Sequence, residues 1–254
     1  MKERILLFII VFGLGVFIYI FQSYFNTVWG LALLCALMAL YCLFLNLSYK
    51  LTKRKLEKFP EIINHDYLPF VTVMIPAHNE ESVITNTVEN ILGMDYDNFE
   101  VIVIDDRSSD NTASVIKDLE RKYSNVTALI RDKDAFPGKS AVLNDALEIA
   151  KGDAILVFDA DATVDNNFLK IMIPKLEPKD VGAVQARKVI SNREQNWLTR
   201  CQDNEMALDT HFQVGRDSVK GAVELRGNGE LIKRKALEDV GGWNIYTITD
   251  DLDL

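Results

Sequence analysis

At 254 residues the chain can hold one sizeable core together with membrane segments. Residues 1–60 carry seven Lys or Arg against two Glu, a net +5, so with −9 overall the remainder carries −14. So acidic a remainder argues against nucleic acid as a partner, which needs a clustered basic face. Cys35, Cys42 and Cys201 form no CxxC pair and no metal-ligand spacing, so they read as packing residues rather than a disulfide framework.

Ile5 to Phe21 contains no charged or strongly polar side chain, and Trp29 to Leu45 is equally apolar. Each approaches the ~20 residues that cross ~30 Å of hydrocarbon. The short uncharged connection places Tyr24, Phe25 and Trp29 where an interfacial belt would lie. Lys2 and Arg4 precede the first run, and Lys50, Lys53, Arg54, Lys55 and Lys58 follow the second. The positive-inside rule puts both ends in the cytoplasm. Residues 1–49 therefore read as a transmembrane hairpin in the inner (cytoplasmic) membrane, 50–68 as a basic linker, and the acidic domain as cytoplasmic. A signal peptide fits poorly, because no small-residue cleavage pattern follows the first run.

From Phe70 the pattern alternates between strands and helices. Phe70–Pro76, Phe99–Asp106, Val126–Ile130 and Asp153–Asp161 are Val/Ile-rich strand runs. Glu80–Leu92, Asn111–Tyr123 and Ser140–Ala150 read as the helices between them, with Gly93 and Gly152 as stops. Continuous apolar strands separated by helices predict an α/β fold with a mostly parallel sheet covered on both faces. Leu198, Cys201, Glu205, Leu208 and Phe212 fall at helical spacing and are expected to face a core, Glu205 being the odd member.

Ligands of open α/β sheets bind beyond the carboxyl ends of the strands, and that is where the acids fall. Asp105 and Asp106 end the second strand, and Asp159 and Asp161 end the fourth. PAHNEES follows the first strand, so neither a GxGxxG cradle nor a P-loop is present. Phosphates then need another holder, and a hard cation on Asp oxygens supplies one. Lys139 begins a helix, where a cation opposes the dipole unless an anion joins it. Ser109 or Asp110 can cap the helix from Asn111, leaving Asp105 and Asp106 free for ligand.

Six segments together resemble family 2 glycosyltransferases of the GT-A fold, particularly the membrane-embedded synthases. They are PAHNE (Pro76–Glu80), IDDRSSDNT (Ile104–Thr112), PGKSAVLN (Pro137–Asn144), DADA (Asp159–Ala162), GNGELIKRKALEDVGGW (Gly227–Trp243) and TDDLDL (Thr249–Leu254). The resemblance implies a Rossmann-like GT-A domain over 69–254. It implies nucleotide-sugar contacts from Pro76, Glu80, Asp105, Asp106, Lys139 and Asp159, and a Mg²⁺ or Mn²⁺ site at Asp161 with Asp159. Asp251 takes the place of the family's general base, with the adjacent Asp250 able to exchange roles with it. Arg107 stands where the family commonly has glycine. His78, Gln185 and Arg187 are weaker candidates for donor contacts.

The implied reaction is inverting transfer of a hexose from a UDP-sugar, UDP-glucose or UDP-N-acetylglucosamine. The acceptor is a membrane lipid such as diacylglycerol or a growing β-polysaccharide. The alternative is a non-catalytic nucleotide-binding membrane scaffold. The resemblance stops at the base motif, before the family's Q-x-x-R-W motif and later membrane helices. Residues 1–254 alone are therefore expected to be C-terminally incomplete, to bind UDP weakly and to turn over little.

Overall fold

A computed structural model describes residues 11–21, 27–58 and 66–247. The chain divides into two compact units. The first holds α1 (Val11–Phe21), α2 (Thr27–Lys58) and residues 208–222. By length and composition Trp29–Lys58 can cross a membrane, whereas α1 is shorter over its described residues. The helix does not stop with the apolar run. It continues through Lys50, Lys53, Arg54, Lys55 and Lys58, so the first half of the stretch read as a basic linker is helical. The second run of the hairpin is thus part of a described helix, while residues 5–10 of the first run and 22–26 of the connection lie outside the described residues. Gly215 packs against the α2 backbone: a Cβ there would stand 2.7 Å from the Leu45 carbonyl oxygen. Tyr49 and His211 stack nearby with ring centroids 3.8 Å apart.

The second unit is the α/β domain. Its elements run β1 (Val71–Ala77), α3 (Ile84–Leu92), β2 (Phe99–Asp105), α4 (Thr112–Lys122), β3 (Val126–Ile130), α5 (Lys139–Ile149), β4 (Ala154–Val157), α6 (Phe168–Leu176), β5 (Ala183–Gln185), α7 (Trp197–Ser218), β6 (Glu230–Lys233) and α8 (Arg234–Val240). The second half of α7 belongs to the first unit. The sheet order is β3-β2-β1-β4-β6-β5. The β1, β2, β3 and β4 pairings are parallel, and β6 runs antiparallel to both β4 and β5.

Strand side chains alternate between faces, which is why both faces bury apolar residues. Val71, Val73, Ile75, Val101, Val103 and Leu156 pack with α3, α4 and α6 residues such as Ile84, Ile116 and Leu169. Met74, Ile102, Ile104, Ile155 and Val157 pack with α5 and α8 residues such as Leu143 and Leu237. Each fully buried aliphatic of this kind contributes roughly 1.5–3 kcal/mol relative to exposure.

Three expectations are corrected. The fourth strand ends at Val157, not Asp161, because its antiparallel partner β6 stops pairing at Val157↔Glu230 and Ala162 N then turns back to donate to the Asp159 carbonyl. The α7 stripe does not face a core: Leu198, Cys201, Glu205 and Leu208 are exposed and Phe212 is half-buried. All three cysteines are exposed free thiols rather than packed ones, Cys35 and Cys42 on the mostly unburied α2.

Candidate functional site

Parallel pairing brings the carboxyl ends of β1, β2 and β4 to one edge. Ala77 is in register with Asp105, and Met74 with Val157. Past the strands the backbone is still pinned: Asp106 N donates to the Ala77 carbonyl at 2.8 Å and Phe158 N to the Met74 carbonyl at 3.0 Å. A cleft of about 330 Å³ opens there. The β1–α3 segment lines it with Pro76, Ala77, His78 and Glu80, the end of β2 with Asp106, and the turn after β4 with Asp159, Ala160 and Asp161. The first turn of α5 closes it with Lys139 and Val142.

Two of the loops that line the cleft, β1–α3 and β2–α4, are stitched together. Asn79 N donates to Ser108 Oγ at 2.9 Å, and Ser109 N donates to Asn79 Oδ1 at 2.8 Å. Glu80 N donates to Thr112 Oγ1 at 2.8 Å. Asn79 and Arg107 both sit at φ +58°, a left-handed conformation that costs a non-glycine residue of order 1 kcal/mol. That explains why glycine is the expected residue at 107. The arginine offsets the strain by binding its neighbour, Nε donating to Asp106 Oδ1 at 2.8 Å. The N-terminal end of α4 is supported by Asp110, whose Oδ1 accepts from both the backbone and the hydroxyl of Thr112. Of the two expected caps, Asp110 is the one that bonds at this helix end, although the cap position itself is Asn111, which makes no side-chain cap bond.

Sequence reasoning missed Arg131, at the end of β3. Its side chain is 3% exposed and fans out to three partners. It donates to Asp106 Oδ1 at 2.7 Å, to Asp145 Oδ2 at 2.7 Å and to the Phe136 carbonyl at 2.9 Å. Partial burial opposes ionisation of Asp106, but hydrogen bonds and charge from Arg107 and Arg131 outweigh it and hold the carboxyl below its ordinary value. Asp106 is thus an anion fixed in place, with its backbone carbonyl facing His78 Nδ1 at 2.7 Å.

Asp159 meets Lys139 directly, Oδ1 to Nζ at 2.8 Å, and its backbone N–H donates to Asn228 Oδ1 at 3.3 Å. Asp161 is exposed on the cleft wall. Asp105 is brought to the same edge but not to the wall: it is 2% exposed. Its Oδ2 accepts from Ser108 N at 3.3 Å, and its Oδ1 is buried with no hydrogen-bond partner. Gln185 is spent on the fold, its amide bridging Arg226 N and the Asn228 carbonyl. Neither Gln185 nor Arg187 lines the cleft. Asn144 clamps the Gly242–Trp243 turn, accepting from Trp243 N and donating to the Trp243 carbonyl. Gly242 lies at φ +78°, and a Cβ there would stand 2.6 Å from Asn144 Oδ1, so the turn requires glycine. Asp250 and Asp251 lie outside the described residues.

The oxygens of Glu80, Asp106, Asp159 and Asp161 are hard donors suited to a Mg²⁺-type cation, and no cluster of three or more His, Cys, Asp or Glu able to hold an ion alone occurs among the described residues. The donor set fits an ion that takes part of its coordination from a ligand.

Residues 69–254 match the family described as glycosyltransferase like family 2. Among curated proteins, the chain is 45% identical over 189 residues to a β-monoglucosyldiacylglycerol synthase of Trichormus variabilis, covering 74% of this chain and 40% of that protein. It is 41% identical over 233 residues to the Synechocystis protein of the same name, covering 89% and 48%. It is 34% identical over 200 residues to a poly-β-1,6-N-acetyl-D-glucosamine synthase of Staphylococcus aureus, covering 78% and 47%. The chain thus spans less than half the length of these relatives. Among solved structures, the mannosyltransferase PcManGT of Pyrobaculum calidifontis, in complex with GDP-Man and Mn²⁺, superposes with a TM-score of 0.68 at 27% identity, over 87% of this chain and 61% of that one.

Proposed function

Since the chain belongs to glycosyltransferase family 2, with an α/β domain of the GT-A type, we propose that it serves inverting transfer of a hexose from a UDP-sugar to a lipid acceptor of the diacylglycerol kind at the membrane. The observation that carries this reading is the convergence of Glu80, Asp106, Asp159 and Asp161 with Lys139 on one cleft at the carboxyl ends of β1, β2 and β4. The lipid acceptor is favoured by the two β-monoglucosyldiacylglycerol synthases, and α2, long and apolar enough to cross a bilayer, is compatible with a membrane site.

In this reading Asp161, with Asp159, would hold a divalent cation, Mg²⁺ or Mn²⁺, whose charge would offset that of the diphosphate leaving group. Asp106, locked by Arg107 and Arg131, walls the nucleotide pocket, and the buried, half-satisfied Asp105 carboxylate behind that wall is the acceptor assigned to the nucleobase, which reaches it only if the Asp105–Ser108 turn yields. Lys139 meets the diphosphate from the first turn of α5. Asp251 takes the acceptor hydroxyl proton as that oxygen bonds to the anomeric carbon and the bond from that carbon to the phosphate oxygen breaks. The Asn144 clamp fixes the turn from which the base segment departs. A scaffold has no need of this set of acids and is not favoured.

The test supplies labelled UDP-glucose and UDP-N-acetylglucosamine to membranes containing the full-length protein. Label is expected in the lipid extract, and Asp251→Asn should lower its rate by about 10²–10⁴. Label in an insoluble polymer would favour the polysaccharide acceptor that the Staphylococcus aureus relative's name indicates. Label in neither, with UDP still bound, would leave only the scaffold.

A further inference from the structure

We propose that Lys139 is a built-in counter-ion that keeps a divalent cation off the cleft until a nucleoside diphosphate arrives, so that metal and nucleotide enter as one complex. The inference rests on the nucleotide-sugar reading above and adds to it an order of binding.

Among the described residues four carboxylates line the cleft, and Lys139 is its one lining cation. Two of the four are already committed. Asp106 is bound by Arg107 and Arg131, and Asp159 Oδ1 by the Lys139 ammonium at 2.8 Å. A bare dication that approaches Asp159 therefore meets the Lys139 ammonium already on Oδ1, and no three described acids, histidines or cysteines stand ready to complete its shell. A Mg²⁺-type ion sheds water reluctantly and asks for several well-placed oxygens, so this exchange is unfavourable by itself.

A diphosphate reverses both obstacles. It brings oxygen ligands for the ion, and it offers Lys139 an anion at the start of α5, whose first backbone N–H groups favour negative charge. The ammonium can then leave Asp159 without losing a partner, and Asp159 becomes available at the same moment. Metal and nucleotide binding are coupled through one side chain, and linkage makes the coupling mutual.

The experiment follows free Mn²⁺ by electron paramagnetic resonance while it is titrated into the full-length protein in detergent, with and without UDP. In wild type, UDP should tighten Mn²⁺ binding by about tenfold or more. Lys139→Met should bind Mn²⁺ alone several-fold more tightly than wild type, bind UDP more weakly, and gain less from the second ligand. Adding Asp159→Asn to Lys139→Met should abolish the gain in metal binding, and Lys139→Gln provides a second route should Lys139→Met not fold. Unchanged or weaker metal-alone binding in the folded Lys139 variants would overturn the proposal. So would wild-type UDP binding indifferent to Mn²⁺. Complete absence of UDP binding would instead sink the nucleotide-sugar reading and this inference with it.

Discussion

Strand β2 carries a buried acid near each end, and the two are treated differently. Glu100, at the amino end, is 7% exposed. Its Oε1 accepts from Thr72 Oγ1 and from Lys151 N, both at 2.8 Å, and its Oε2 lies 3.5 Å from Lys151 Nζ. Thr72 Oγ1 accepts in turn from Gly152 N, closing the network. Asp105, at the carboxyl end, is 2% exposed and has one 3.3 Å bond on one oxygen and none on the other. Burying a carboxylate is costly wherever it happens, and the usual remedy is to satisfy its oxygens from within the fold. The amino end applies that remedy. The carboxyl end leaves one oxygen unsatisfied directly behind the cleft wall.

Replacement of Arg131 probes the carboxyl end hardest. Arg131→Met leaves Asp106 and Asp145 without a cation whose side chain is 3% exposed. Asp106 keeps Arg107 and Asp145 is half in solvent, so the loss should lie at or below the lower end of the about 3–5 kcal/mol that breaking a fully buried pair costs. Thermal unfolding should fall by roughly 10 °C, with UDP binding weakened as well. A melting point within a degree or two of wild type would show that the Asp106 network is dispensable.

The sharper contrast comes from the two ends of β2. Glu100→Ala removes the acceptor for Thr72 Oγ1 and Lys151 N and should cost about 1–3 kcal/mol, with UDP affinity unchanged. Asp105→Asn should cost less stability, about 1 kcal/mol or below, and lower UDP affinity. Calorimetric melting and equilibrium binding on the same preparations decide the matter. If the two variants behaved alike, the distinction between the ends would be lost.

The smallest effect is pH-dependent. The folded Asp106 carboxyl lies below its ordinary value because Arg107 and Arg131 outweigh the cost of burial. Its stabilising contribution is therefore complete above the unfolded value, about 3.9, and is lost as pH falls through the lower folded one. Melting temperatures from pH 6 to pH 3 should decline less steeply in Asp106→Asn than in wild type. Parallel curves would remove Asp106 from the account of acid stability.

How much of this was legible depended on whether the signal was local. The runs FVTVMIP, FEVIVIDD and VTALI identify β1, β2 and β3 within a residue, because a strand buried on both faces needs an unbroken apolar run. β4 was read four residues too far at its carboxyl end. Phe158 to Asp161 continues the composition of the strand, but nothing in that segment records where β6 stops pairing. Most acids of the cleft were legible because they sit directly after the strands. Arg131 was not: a single arginine after a strand looks like a solvated surface residue, and its partners Asp106 and Asp145 lie 25 and 14 residues away. The Lys139–Asp159 pair, 20 residues apart, was hidden for the same reason, although both members were singled out separately.

As proposed, carboxylates gathered from separate strands would hold a nucleoside diphosphate through a shared divalent cation. Calorimetric titration of UDP into the full-length protein, with Mn²⁺ and then with a chelator, tests it most directly, with Asp161→Asn run beside wild type. The account predicts clear heat of binding only for wild type with metal, and a loss of affinity of roughly 10–100-fold in Asp161→Asn. Equal UDP affinity in all of these conditions would contradict it.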